Sequence, residues 1–185
     1  MKRKTNKKVY DALTQKQSDY LVQAGWFENS KYSNGASIGG IAAVQNYGAT
    51  INQNVSEKQR AFFHYIDIHL KPDTTALKIV IPPTNFWENC QKENKDKWRE
   101  KIKEAWQSVF LGNISPETAM ERLGLLVEGD IAKAIAAVDS PPLSKLTIEA
   151  KKRQYKDQKT TGKLTKRLSN TGQMLNALSH KVTKI

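Results

Sequence analysis

Cysteine occurs once in the 185 residues, at Cys90. No intrachain disulfide can form, and nothing in the composition points to an oxidising compartment. Histidine occurs three times. His64 and His69 stand five apart and far from Cys90, a spacing that fits neither a zinc knuckle nor the i, i+4 pair of a helical metal site; they read as surface or strand-packing residues. Cys90 beside Trp87 carries no sign of activation and reads as a small buried hydrophobe. The three glycines at 35, 39 and 40 have neither the Walker spacing nor Gly-x-Gly-x-x-Gly, so a flexible turn explains them better than a phosphate cradle. No apolar run approaches a membrane span, and Met1-Lys2-Arg3-Lys4 leads into polar residues rather than a signal-peptide core. The expectation is a soluble protein, assembled in a reducing compartment, with no membrane contact and no cofactor.

The net charge of +12 suggests nucleic acid until its distribution is counted. Residues 1–60 hold 9 Lys+Arg against 4 Asp+Glu, residues 61–140 hold 10 against 12, and residues 141–185 hold 11 against 2. The middle is therefore not basic. The positive charge sits in residues 2–8 and 151–167, which are poor in apolar side chains and are expected to be flexible unless a partner fixes them. Lys151, Lys152, Arg153, Lys163, Lys166 and Arg167 are the candidate electrostatic contacts. Such a segment suits phosphate, a membrane surface or an acidic protein face, or simply keeps the chain solvated. Asp67, Asp73, Glu93 and Lys95 could be assembled into a metal-dependent nuclease, but a solvated charged helix face accounts for them more simply.

Residues 20–27 read as a strand followed by turn-formers, and residues 37–47 as a short helix stopped by Gly48. Residues 61–70 and 75–81, separated by Lys71-Pro72-Asp73, read as a strand pair, with a helix as the alternative for the first. Residues 94–111 form the clearest helix, with Trp98, Ile102, Ala105, Trp106, Val109 and Phe110 on one face and Gly112 as its stop. Ser115-Pro116-Glu117 caps a second helix reaching about Val138, in which Gly124 and Gly129 permit close packing or a kink. After Ser140-Pro141-Pro142, Ser144 caps a shorter helix over residues 145–152. Asn170 with Gln173 fits a capping box, and residues 178–182 leave it as a strand. The fold class expected is α+β: a small, mostly antiparallel sheet against several helices. Residues 1–18 are a basic N-terminal segment, 19–150 the core, 151–169 a basic loop, and 170–185 a helix and strand returning to the core.

Three islands stand out. They are Ile38-Gly39-Gly40-Ile41-Ala42-Ala43-Val44-Gln45-Asn46-Tyr47-Gly48, the rigid turn Ile81-Pro82-Pro83-Thr84-Asn85-Phe86-Trp87, and Asn170-Thr171-Gly172-Gln173-Met174-Leu175-Asn176-Ala177-Leu178. None contains a reacting group. In that order, with Arg60-Ala61-Phe62-Phe63-His64-Tyr65 between the first two and Ser140-Pro141-Pro142-Leu143-Ser144 before the third, the chain resembles the virion-morphogenesis proteins of tailed phages, the tail-completion or neck components. Thr84-Asn85 stands where Arg-Pro is usual in that family.

The resemblance implies an α+β subunit of a ring between head connector and tail, in the virion, assembled in the bacterial host cytoplasm, with no catalytic residue to carry over. Its implied partners are identical subunits, connector or neck proteins, tail tube proteins and, without sequence specificity, genomic DNA. Ile81, Pro82, Pro83, Phe86 and Trp87 are the candidate packing or subunit-interface residues, a corner that orients the following helix. A nucleic-acid-binding module built on residues 151–167 is the alternative.

Overall fold

A computed structural model describes residues 20–154, 167–168 and 172–185. The expectations for residues 1–18 and for most of the basic loop lie outside the described residues, as does Asn170.

The body is a helical hairpin with a two-stranded sheet laid against it. Helix α3 (Phe86–Phe110) and helix α4 (Pro116–Ala137) pack along each other. Their junction is set by local chemistry on both sides. Gly112, at φ 74°, closes α3: its N–H donates to Val109 O at 2.9 Å and that of Asn113 to Ser108 O at 2.9 Å, the paired bonds of a Schellman motif. Ser115 Oγ then accepts from Thr118 N at 3.1 Å, with Pro116 in the first turn of α4. Both ends are where the sequence puts them.

Strand β1 (Tyr20–Gly25) pairs antiparallel with β4 (Ser179–Lys184), Tyr20 opposite Lys184 and Gly25 opposite Ser179, and both strands pack on α4. Helix α1 (Ile38–Tyr47) starts at Ser37, whose Oγ accepts from Gly40 N at 3.1 Å, and ends at Gly48. Helix α5 (Lys145–Gln154) starts where Ser144 Oγ accepts from Thr147 N at 3.2 Å. Helix α6 (Gln173–Asn176) is a single turn whose N-cap is Gly172 at φ 72°, so Gln173 opens the helix rather than standing at the third position of a capping box, which corrects the expectation for Asn170 and Gln173. One core cluster joins Ile38, Ala42, Phe86, Cys90, Ile131, Ile135, Val138, Met174 and Leu178; a second, at the other end of the hairpin, joins Val109, Ala119, Met120 and Leu123.

Two further expectations are corrected. Residues 61–70 do not form a strand: helix α2 (Glu57–Tyr65) occupies the first half. Its start is a capping box, Ser56 Oγ accepting from Gln59 N at 3.3 Å while Ser56 N donates to Gln59 Oε1 at 2.9 Å. The strand that pairs antiparallel with β3 (Ala76–Ile81) is instead β2 (Ala49–Asn54), with Ala49 opposite Ile81 and Asn54 opposite Ala76. Polar residues at 50 and 52–54 hid β2 from a search for apolar runs. Helix α3 also begins at Phe86 rather than near 94, because Phe86 and Cys90, one turn apart, carry its buried face toward the corner. The α+β class stands, and among the described residues the strands divide into two separate antiparallel pairs.

Candidate functional site

The 81–87 corner is where three distant stretches of chain are fastened. Pro82 and Pro83 turn the chain out of β3, and Asn85, at φ 50°, sets the start of α3 without a side-chain cap of its own. That cap comes from α1. Asn46 Oδ1 accepts from Trp87 N at 2.9 Å, while Asn46 Nδ2 donates to the Glu88 carboxylate at 2.9 and 3.1 Å. In return, the corner satisfies the last carbonyls of α1: Thr84 Oγ1 donates to Gln45 O at 2.9 Å, and Asn85 N to Asn46 O at 3.1 Å. Asn46 is 2% exposed, and its polar atoms are engaged on both sides of the junction. Gly48 is needed here for space as well as conformation. At φ 77°, a Cβ on it would lie 2.8 Å from Ile81 O and 3.0 Å from Pro83 Cδ.

The third island closes the same junction. Trp26 Nε1 donates to Met174 O at 2.7 Å, and the Trp26 ring meets Phe86 edge-on with centroids 6.3 Å apart. Phe86 is buried in the core with Met174 and Leu178, so it packs within the subunit. Trp87 is half-buried and, with the exposed Tyr47, borders an open cleft of about 370 Å³ floored by Gly39, Ala42 and Ala43. Ile81 is half-buried; Pro82 and Pro83 are exposed.

The candidate cations divide. Arg167 is 5% exposed and binds the back of the corner: Nη1 donates to Pro141 O at 2.7 Å, and Nη2 to Pro82 O at 3.2 Å and Gln45 Oε1 at 3.4 Å. Burial pushes its pKa down. Lys151 is also buried, and burial lowers its pKa too. Neither side chain is presented to solvent. Lys152 is exposed and pairs with Glu149 at 2.5 Å. The side chain of Arg153, and Lys163 and Lys166, lie outside the described residues.

Two polar clusters hold α4 in place. His180 on β4 lies across α4 between Glu128 (Nδ1 to Oε2, 2.6 Å) and Glu121 (Nε2 to Oε2, 2.9 Å). A neutral imidazole donates from one nitrogen only, so satisfying two carboxylates favours the imidazolium. The hydrogen bond with Glu128 raises the His180 pKa, burial opposes it, and Glu121 adds to the rise. Asp130 is 4% exposed and accepts from Lys97 Nζ at 2.5 Å and Trp98 Nε1 at 2.8 Å. Burial pushes its carboxyl up, but those two hydrogen bonds outweigh it and hold the pKa below the ordinary value.

Asn46, His180 and Asp130 escaped the sequence reading. A readable trace existed for His180: Glu121 and Glu128 are seven apart, hence on one face, with Gly124 between them. Cys90 is buried as expected, and burial raises its thiol pKa. His64 and His69 meet edge-on at 4.9 Å, with His69 Nε2 3.2 Å from the exposed Asp67 carboxylate. Among the described residues, no three His, Cys, Asp or Glu side chains stand where they could share a metal ion, and no helix is long and apolar enough to cross a membrane. No protein-family model, no curated protein and no solved structure matches the chain.

Proposed function

We propose that the chain is a structural subunit of a tailed-phage virion: a tail-completion, tail-terminator or neck component that forms a homo-oligomeric ring joining the tail to the head connector. One observation carries this reading. Three of the segments on which the family resemblance rests, remote in sequence, meet at one junction. Ile38 and Ala42 of the first, Phe86 of the second and Met174 and Leu178 of the third share a core, and Gln45 and Asn46 are bonded directly to the corner. A chance likeness among degenerate segments has no reason to select residues that touch.

The chemistry of the junction agrees with a positional role. Its polar atoms are spent on capping and closing chain segments, and its aromatics on packing. Identical subunits, connector or neck proteins and tail tube proteins are the partners on this reading, in the virion at the neck. With Lys151 and Arg167 buried, contact with genomic DNA rests on the remaining basic residues and is not sequence-specific.

The test is genetic and visual. Particles made without this chain should accumulate DNA-filled heads beside free tails, and antibody against the chain should label the head–tail junction of complete particles. Normal joined particles in its absence, or label confined to capsid faces or tail tips, would overturn the reading.

A further inference from the structure

We propose that the β2–β3 ribbon is the surface through which one copy of this chain docks on the next, β3 of one copy adding edge to edge to β2 of its neighbour. This rests on the reading of the chain as a ring subunit and names the surface that would close the ring.

The ribbon stands apart from the body. Each strand makes its one broad contact with the other, and none of their residues is buried. Among the described residues no third strand bonds to either edge, so both edges carry unpaired backbone N–H and C=O groups. A two-stranded ribbon is marginal in water and gains stability from a further strand. This one is nevertheless well specified: Arg60 of α2 ties its far end, Nη2 donating to Thr74 O at 2.7 Å and Nη1 to Lys71 O at 3.0 Å.

Register sorts its side chains into two faces. Ala49 with Ile81, Ile51 with Ile79 and Gln53 with Leu77 share a face that is apolar but for Gln53, while Thr50 with Val80, Asn52 with Lys78 and Asn54 with Ala76 lie on the other, more polar one. Ile51 and Ile79, directly opposed at the centre of the apolar face, are 43% and 36% exposed.

Two arguments identify the occupant as a second copy. The first is directional. Copies related by rotation all point their ribbons the same way, so β3 of one meets β2 of the next antiparallel, the pairing these strands already make within the chain. Closing the ring then leaves no edge unpaired. The second is electrostatic. Copies carrying +12 repel one another, yet the twelve residues of β2 and β3 contain one charge, Lys78. Repulsion between like subunits is smallest there, and an anionic partner would find almost nothing to bind.

Native mass spectrometry of the full chain over a range of concentrations tests this, comparing wild type with Ile51→Lys. Position 51 is 43% exposed, so the free ribbon tolerates the lysine, whereas a lysine on an edge strand opposes pairing with a neighbour, and a circular-dichroism melt checks that the body still folds. The expected result is a closed wild-type oligomer larger than a dimer, with the variant needing about a hundredfold higher concentration to assemble. Hydrogen exchange of the wild type should show residues 49–54 and 76–81 gaining protection on assembly. Equal assembly of a folded variant, no gained protection in those strands, or a wild type that stops at a dimer would overturn this inference. The first two leave the ring reading standing; a wild type that never assembles, even with neck or tail proteins present, refutes both.

Discussion

Gly124 and Gly129 lie in the same helix, and alanine should act on them with opposite signs. A Cβ at Gly129 meets nothing within 4 Å, so Gly129→Ala should collect the intrinsic helix-propensity gain of about 0.8–1.0 kcal/mol. A Cβ at Gly124 would stand 2.2 Å from His180 Cδ2 and 2.8 Å from Cγ. The ring cannot yield cheaply, because both its nitrogens are held by carboxylates at 2.6 and 2.9 Å. Displacing it forfeits at least one hydrogen bond between charged partners, about 1.5–3 kcal/mol. After the propensity gain, a net loss of about 0.5–2 kcal/mol remains for Gly124→Ala. In a chain of this length 1 kcal/mol moves Tm by about 2–4 °C. Gly129→Ala should therefore raise Tm by about 2–4 °C and Gly124→Ala lower it by about 1–8 °C. Adding His180→Ala removes the obstacle, so in that background Gly124→Ala should become neutral or stabilising. Scanning calorimetry of wild type, the two glycine variants, His180→Ala and the Gly124→Ala, His180→Ala double variant decides it. Equal effects of the two glycine substitutions, or an unchanged Gly124→Ala penalty without the imidazole, would refute the reasoning.

Three further outcomes are expected. The His180 pKa is raised in the folded state, so the stability its clasp contributes is full below the unfolded value of about 6.5 and is lost as pH rises through the folded value; urea unfolding of wild type and His180→Ala should converge as pH increases, and a constant gap would contradict this. Asp130 is the reverse case, its stabilisation present above the ordinary carboxylate pKa and lost as pH falls through the depressed one; Asp130→Asn should cost about 2 kcal/mol at pH 7, since Lys97 is partly solvated, and cost progressively less in acid. Arg167→Ala should lower stability by about 2 kcal/mol through the bonds it loses to Pro82 and Pro141, read as a shift in the urea midpoint at unchanged slope.

What the sequence made legible depended on whether the signal was local. Ser37, Ser115 and Ser144 cap helices from one turn away, and Gly48 and Gly112 end them with their own backbone, so those boundaries could be read residue by residue. The capping box at Ser56 and Gln59 was equally local, but Phe62, Phe63, Ile66 and Ile68 masked it by suggesting a strand. Strand β2 was not legible at all, because a ribbon solvated on both faces carries little of the apolar signal by which strands are found. The corner was legible as rigid from Pro82 and Pro83. Its fasteners were not: Asn46 caps a helix 41 residues away and Arg167 reaches Pro82 over 85, and nothing in a neighbourhood of sequence encodes such a partner. The same holds for the destination of the basic loop's last cation, which burial turned from a surface charge into a clasp.

Electron imaging of the purified full chain in negative stain, alone and mixed with its neck and tail neighbours, addresses the central claim most directly. End-on class averages should show closed rings with rotational symmetry and a central opening. Particles that remain single globular subunits under every one of those conditions would contradict the claim.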